Sequence, residues 1–156
     1  MSEGAKMKIG TKSLVMHGWF KEAKSSGLPD ETGLYLVFGG VPAVNGDAYI
    51  RHLIYIGQAQ DIKDRIADHE KKPKFMDKLA EGESLYYYCV YLKNKDLDED
   101  EGAMIKYFNR HADIINEKCT ESFTSSFDVI DVTLTGKIPS VLSNHASFRI
   151  SPKIGE

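Results

Sequence analysis

Arg65 and His69 are polar side chains on what should be the buried side of a helix. The segment LIYIGQAQDIKDRIADHE, residues 53–70, begins as an apolar strand, turns at a glycine and continues with helical spacing. Ile62 and Ile66 mark the apolar stripe of a helix that is predicted to run to about His69, and Arg65 lies beside them. A guanidinium donates to phosphate oxygens in a planar fork, and an imidazole exchanges protons near neutral pH. The pair is therefore a candidate for a functional role, although Arg65 in a structural ion pair or at the edge of the core would explain the same pattern.

Glu101 is likewise a charged residue on the apolar side of a second helix, which is predicted from about residue 96 to 110. It lies within a stripe formed by Leu97, Met104, Ile105, Phe108 and Ala112. A buried carboxylate without a partner costs on the order of several kcal/mol. We therefore expect Glu101 to have a cationic partner, a metal ion or a cleft. The other acidic residues of this helix are expected in solvent, namely Asp98, Glu99 and Asp100.

Two tyrosines occupy neighbouring strand candidates. Tyr35 lies in TGLYLVFGG (residues 32–40), and Tyr55 lies in a strand predicted at about 48–56. An Asn-Gly turn signal at residues 45–46 separates the two strands. Adjacent antiparallel strands can place both tyrosines on one face of a sheet. Half-buried sheet tyrosines without a function would give the same pattern.

The remaining elements complete a small α+β prediction. ESLYYYCVYL (residues 83–92) is a third strand, residues 13–27 have the spacing of a short helix, and FDVIDVTL (127–134) is a further strand candidate. Asp61 is a suitable N-cap for the helix that carries Arg65. We expect a three-stranded antiparallel sheet flanked by helices, with a short C-terminal β appendage.

Composition narrows the class of protein. The 156 residues carry a formal net charge of −3, which argues against a protein that coats nucleic acid indiscriminately. Residues 1–156 are predicted to form one domain in the cytoplasm, because there is no signal-peptide core, no spanning apolar run and no paired cysteine motif. A local basic cluster is formed by Lys71, Lys72 and Lys74, which would serve either nucleic-acid contact or a solvated loop.

The order of these motifs resembles the GIY-YIG nuclease superfamily. The chain runs through GLY with Tyr35, YIG with Tyr55, the Arg65-x-x-x-His69 pair, EGAMIKYF with Glu101, and Asn116. The match covers residues 32–118 and its Arg-x-x-x-His pattern is similar to the restriction endonucleases of the superfamily. The segments outside this core would be an N-terminal helical piece, 1–31, and the C-terminal appendage, 119–156.

The resemblance implies a role for each matched residue. Glu101 would hold one Mg²⁺ or Mn²⁺ ion, Arg65 would bind the scissile phosphate, and Tyr35 would activate or position the attacking water. Tyr55 and His69 would assist proton transfer, and whether Tyr35 or His69 takes the proton stays open. Asn116 would support the glutamate face and contact the substrate. The basic cluster of Lys71, Lys72 and Lys74, which does not belong to the resemblance, would add substrate contacts of its own.

The function implied is a metal-dependent DNA endonuclease that hydrolyses phosphodiester bonds. The alternative is a catalytically quiet nucleic-acid-binding or interaction domain on the same scaffold, which would have no need of Glu101. No DNA-reading module follows the core. We therefore expect DNA as the partner and no membrane. Sequence specificity would come from loops, the terminal pieces or a partner protein, and a homodimer stays open as the means of cutting both strands.

Overall fold

The computed structural model describes residues 6–22 and 27–155. Their strands are β1 (Ile9–Phe20), β2 (Gly33–Pro42), β3 (Ala48–Ala59), β4 (Ser84–Tyr91), β5 (Val129–Gly136) and β6 (Ser147–Ile150). Their α-helices are α1 (Ile62–Ala67), α2 (Lys72–Asp77) and α3 (Leu97–Asn109). None of the helices in this part of the chain has the length and apolar character needed to cross a membrane.

The strands of the described residues form a six-stranded mixed sheet in the order β3-β2-β4-β1-β5-β6. Neighbours pair antiparallel except β1 and β5, which are parallel. The predicted three-stranded antiparallel sheet with a separate C-terminal β appendage is therefore wrong. β5 extends the main sheet by pairing with β1, much of which the sequence prediction had assigned to a helix, and β6 pairs with β5.

Strand β1 occupies residues 13–20 of the helix predicted at residues 13–27, and the predicted N-terminal helical piece, 1–31, is therefore wrong over residues 9–20. Its side chains alternate, with Leu14 and Met16 buried and Ser13 and Val15 exposed, which is the period of a strand. The helical prediction rested on the spacing of larger apolar residues and overlooked this alternation. Residues 23–26 of the predicted helix lie outside the described residues.

Two apolar cores cover the two faces of the sheet. One core joins α3 to residues such as Leu36 and Phe38, and the other joins α1 and α2 to residues such as Tyr35 and Val37. Helix α1 begins after Asp61, whose carboxylate accepts from the Asp64 backbone N–H at 3.1 Å, as the predicted N-cap requires. It ends at Ala67, two residues before the predicted end.

Helix α3 confirms the second helix prediction but not the exposure of all its acidic residues. Asp100 is 3 % exposed, and Lys12 Nζ of β1 lies 3.2 Å from its Oδ1 and 2.7 Å from Glu99 Oε1. Burial raises the pKa of Asp100 to about 6, while Lys12 opposes this rise. Lys12 thus links strand β1 to helix α3, because its removal would leave the buried Asp100 carboxylate without this cationic partner.

Candidate active site

Tyr35 lies across the glycine of the YIG motif. Strands β2 and β3 place Tyr35 opposite Gly57, and a Cβ atom added to Gly57 would stand 2.3 Å from the Tyr35 hydroxyl oxygen. A side chain at position 57 would therefore displace the phenol ring. The Tyr35 side chain is 1 % exposed. The motif glycine thus provides the space in which the Tyr35 hydroxyl is held.

Three further aromatic rings surround Tyr35 on the same face. Tyr55 lies 6.2 Å from it and His69 lies 5.6 Å from each of the two tyrosines, measured between ring centroids. Phe75 of α2 packs against both Tyr55 and His69. His69 lies in the turn after α1 rather than on the helix. The structure therefore brings together two tyrosines and the histidine that the sequence singled out.

Hydrogen bonds fix the tautomer of His69. The backbone N–H of Lys71 donates to His69 Nδ1 at 3.1 Å, so Nδ1 carries no proton. The ring must then hold its proton on Nε2, which lies 2.7 Å from the Tyr35 hydroxyl oxygen and donates to it. Burial and the charge of Arg65 lower the pKa of His69 to about 4. His69 is therefore a neutral donor to Tyr35.

Arg65 of α1 extends this site towards solvent. Its guanidinium donates twice to Glu70, at 2.7 Å and 3.0 Å, and this pairing raises the pKa of Arg65 and lowers that of Glu70 to about 2. Burial and the neighbouring Tyr55 raise the pKa of Tyr35, whereas the charge of Arg65 and a hydrogen bond from it act in the opposite direction. The charge of Arg65 thus acts to lower the pKa of both the Tyr35 hydroxyl and the Glu70 carboxylate.

Glu101 is 7 % exposed at the base of a polar cleft of about 510 Å³. Its Oε1 accepts from Gln58 Nε2 at 2.9 Å, and the same nitrogen donates to Asp98 Oδ1 at 2.7 Å. Burial raises the pKa of Glu101, while Gln58 and Lys118 oppose the rise. The Glu101 charge also raises the pKa of Tyr35 and Tyr55. The carboxylate and the phenols therefore interact electrostatically across the end of β3.

Asn116 has a supporting position. Its side-chain oxygen accepts from the Ile56 backbone N–H at 3.0 Å, and its nitrogen donates to the Ile56 carbonyl at 2.8 Å. The backbone N–H of the preceding residue, Ile115, donates to the Ile54 carbonyl at 2.9 Å. Both polar atoms of the Asn116 amide thus bind the edge of β3 beside Tyr55. The Asn116 amide therefore bonds the backbone of β3 within the protein.

The three predicted substrate lysines differ in their surroundings. Lys72 forms an ion pair with Glu22, Lys71 lies 3.9 Å from a Glu117 oxygen, and Lys74 is exposed on α2. In this cluster Lys74 is therefore exposed, whereas Lys71 and Lys72 each have an acidic neighbour.

A group of three possible metal ligands lies away from Glu101. Among the described residues, the carboxylates of Asp30, Asp61 and Asp64 are the group that comes within 4.8 Å of one another. Two of the three residues are exposed, and Asp61 already caps α1. This arrangement is an ordinary exposed acidic surface, and it does not include the predicted metal ligand.

Sequence reasoning missed Gln58, Glu70 and Asp98. Gln58 directly follows the YIG motif and Glu70 directly follows His69, so proximity in sequence was the available signal. The tyrosine face of the sheet holds a guanidinium, two phenols and a neutral imidazole, which are groups that can bind a phosphate and move a proton. The buried Glu101 carboxylate lies on α3, which packs against the other face of the sheet. The chain matches no protein-family model, no curated protein and no solved structure.

Proposed function

We propose that the protein is a metal-dependent endonuclease that hydrolyses phosphodiester bonds in DNA, as its resemblance to GIY-YIG nucleases implies. The observation that carries the proposal is the set of polar and charged groups around the Tyr35 hydroxyl. This hydroxyl receives a hydrogen bond from His69 Nε2 and is influenced by both the Arg65 guanidinium and the Glu101 carboxylate. A purely structural sheet tyrosine would have no need of this combination of groups.

Tyr35 is the proton acceptor in this proposal. His69 has no free lone pair, because Nδ1 accepts from the Lys71 backbone and Nε2 carries the proton. Donors around the Tyr35 oxygen favour its phenolate form, although burial raises the pKa of the phenol. Because the pKa of Tyr35 is raised overall, the hydroxyl first gives up its own proton to solvent with the help of the positive charges at the site, and the resulting phenolate then takes the proton of the attacking water. His69 orients and stabilises the phenolate.

Arg65 binds the scissile phosphate. Its two donors hold the Glu70 carboxylate in the two-bonded geometry that a phosphate also adopts. Glu70 is exposed, so it can turn into solvent when a phosphate arrives. The phosphate then takes the place of the carboxylate beside Tyr35.

Glu101 fits the role of a magnesium or manganese ligand. It is a buried carboxylate that faces a polar cleft and has a second carboxylate, Asp98, joined to it through Gln58. Oxygen donors of this kind suit hard divalent cations. A bound cation supplies polarisation of a phosphoryl oxygen and stabilisation of the leaving oxygen.

The second candidate is a nucleic-acid-binding domain without catalysis. The burial that raises the pKa of Tyr35 favours this alternative, because a neutral phenol is a poor proton acceptor near neutral pH. Binding alone would not explain why the Glu101 carboxylate is buried.

Nicking of supercoiled plasmid with Mg²⁺ or with EDTA separates the two candidates. We expect Mg²⁺-dependent nicking by the wild type and at least a roughly hundredfold loss in Arg65→Ala. The melting temperature of Arg65→Ala should stay close to that of the wild type, because Arg65 is bonded to an exposed carboxylate. Arg51→Ala, an exposed arginine of β3 near Glu83, is the matched control and should cut normally. DNA binding without nicking by the wild type would favour the binding domain.

A further inference from the structure

A second cavity lies at the C-terminal end of α3. It has a volume of about 290 Å³ and is bordered by β3, by the residues that follow α3 and by the helical turn at residues 140–145. Its floor is apolar and is formed by Leu53, Phe108 and Leu142, which are at most 2 % exposed. These three residues belong to the core on the sheet face opposite Tyr35. The volume is at the small end of ligand pockets, so it suits a molecule of one or two rings.

Aromatic rings form part of the cavity wall. His145 lies 5.0 Å from His111 and 5.9 Å from Phe108, measured between ring centroids. Aromatic side chains make favourable stacked or edge-to-face contacts with a further ring. A flat aromatic ligand therefore gains more from this wall than an aliphatic molecule of the same volume.

His52 supplies a hydrogen-bond acceptor at the cavity. Its Nε2 lies 2.8 Å from Oε1 of Glu83, a carboxylate that is 3 % exposed and also accepts from the Ala80 backbone N–H. Burial acts to raise the pKa of Glu83, but these hydrogen bonds lower it below its usual value, so the ionised carboxylate accepts from His52 Nε2–H. In the neutral ring Nδ1 is then an acceptor, and it has no hydrogen-bond partner among the described residues.

The polar groups of the cavity favour an uncharged ligand over an ion. Lys78 Nζ pairs with Asp113 Oδ2 at 2.7 Å, so the two opposite charges that line the cavity offset one another. Burial, together with the neighbouring His145 and Arg110, lowers the pKa of His111, which is therefore neutral near pH 7. Within the described part of the chain, the histidines of this wall do not belong to a group of metal-ligand atoms that come within 4.8 Å of one another. The cavity is therefore not a preformed metal site.

We propose that this cavity binds a small, uncharged heteroaromatic molecule of one or two rings that carries an N–H donor. Its rings pack on the floor around Phe108 and beside His145, and its N–H donates to Nδ1 of His52. The lining of the cavity shares no residue with the candidate active site. The inference therefore goes beyond the proposed nuclease and does not depend on it.

Two probes of the same shape test the role of His52. Indole has an N–H donor, and benzothiophene has a sulfur atom in its place. Titration of each probe into the full chain, followed by the backbone amide signals in NMR spectra, should show saturable shifts centred on residues 108–112 and 141–145. The ratio of indole affinity to benzothiophene affinity should fall by about three- to tenfold in His52→Leu, because one hydrogen bond is lost for indole alone.

Filling the cavity tests its location. Ala112 is half-buried in the cavity wall, and Ala112→Phe should abolish the binding of both probes. The matched control is Ala43→Phe at a half-buried alanine of the turn between β2 and β3, and it should bind both probes like the wild type. Thermal unfolding checks that the variants fold, and Ala112→Phe tests the site even where His52→Leu does not fold.

Three results would overturn the inference. The first is the absence of saturable shifts with indole, and the second is equal indole binding by Ala112→Phe and the wild type. The third is an unchanged affinity ratio in folded His52→Leu, which would show an apolar cavity that does not recognise the N–H group. Tighter binding of indole-2-carboxylate than of indole would likewise contradict the assignment of an uncharged ligand.

Discussion

Arg65 and Glu70 form a two-bonded ion pair at the mouth of the candidate site, with Nη1–Oε2 at 2.7 Å and Nη2–Oε1 at 3.0 Å. The carboxylate occupies the donors that a phosphate would use. Glu70→Gln should therefore tighten DNA binding by about two- to fivefold, because an exposed ion pair of modest strength no longer competes. Fluorescence anisotropy with a labelled duplex measures this change.

Glu81→Gln is the control for the Glu70 variant. Glu81 lies in the turn before β4, at the end of that strand farthest from the register position of Tyr35. Equal affinities for Glu70→Gln and Glu81→Gln would mean that only the lost charge matters. Weaker binding by Glu70→Gln than by the wild type would show that Arg65 needs Glu70 for its position.

Gly57→Ala should disturb Tyr35 directly. The added methyl group would stand 2.3 Å from the Tyr35 hydroxyl oxygen, so the ring or the strand must move. We expect a loss of about 1–3 kcal/mol in the free energy of unfolding and a larger fall in nicking than in stability. Gly27→Ala, whose methyl group meets nothing nearer than 3.8 Å, is the control for both urea unfolding and nicking. Full activity of Gly57→Ala would contradict the placement of Tyr35 at the reacting phosphate.

Local sequence patterns were sufficient to predict much of the central sheet and helix α3. The strands around Tyr35 and Tyr55 and the helix around Glu101 all have clear periodicity. The wider sheet was not predictable in the same way, because β1 pairs in parallel with β5, joining Ile9 to Val129 across most of the chain. No local signal specifies such a distant partner.

In the candidate site, too, the sequence identified single residues but not their contacts with residues elsewhere in the chain. Arg65 and Glu101 were recognisable as charges beside apolar stripes, and Glu101 is indeed buried. The partners of these charges depend on the three-dimensional arrangement of turns and neighbouring strands. Glu70 reaches Arg65 through the turn after α1, and Gln58 reaches Glu101 from a different element.

The pKa of His69 predicts a pH dependence of stability. Its value is about 4 in the folded protein against an ordinary 6.5, so the unfolded chain binds the proton more readily. The free energy of unfolding should therefore fall as the pH decreases from about 6.5 to 4. Asp100, with a raised pKa of about 6, titrates in this range with the opposite sign.

The comparison of wild type with His69→Gln isolates the histidine, because Asp100 is common to both. Between pH 7 and pH 4 the wild type should lose on the order of 1–2 kcal/mol more than the variant, after allowance for solvent screening. Urea unfolding at several pH values measures this difference. Parallel stability curves for the two proteins would mean that His69 is protonated or exposed in the folded state.

The most direct test of the proposed nuclease is the Mg²⁺-dependent nicking rate of Glu101→Gln. The variant keeps the shape and the Gln58 contact of a residue that is 7 % exposed, but it removes the charge that holds a hard cation. We expect a folded protein that still binds DNA and loses at least about a hundredfold in nicking rate, whereas the exposed control Glu81→Gln cuts normally. A Glu101→Gln variant that cuts plasmid as fast as the wild type would contradict the account.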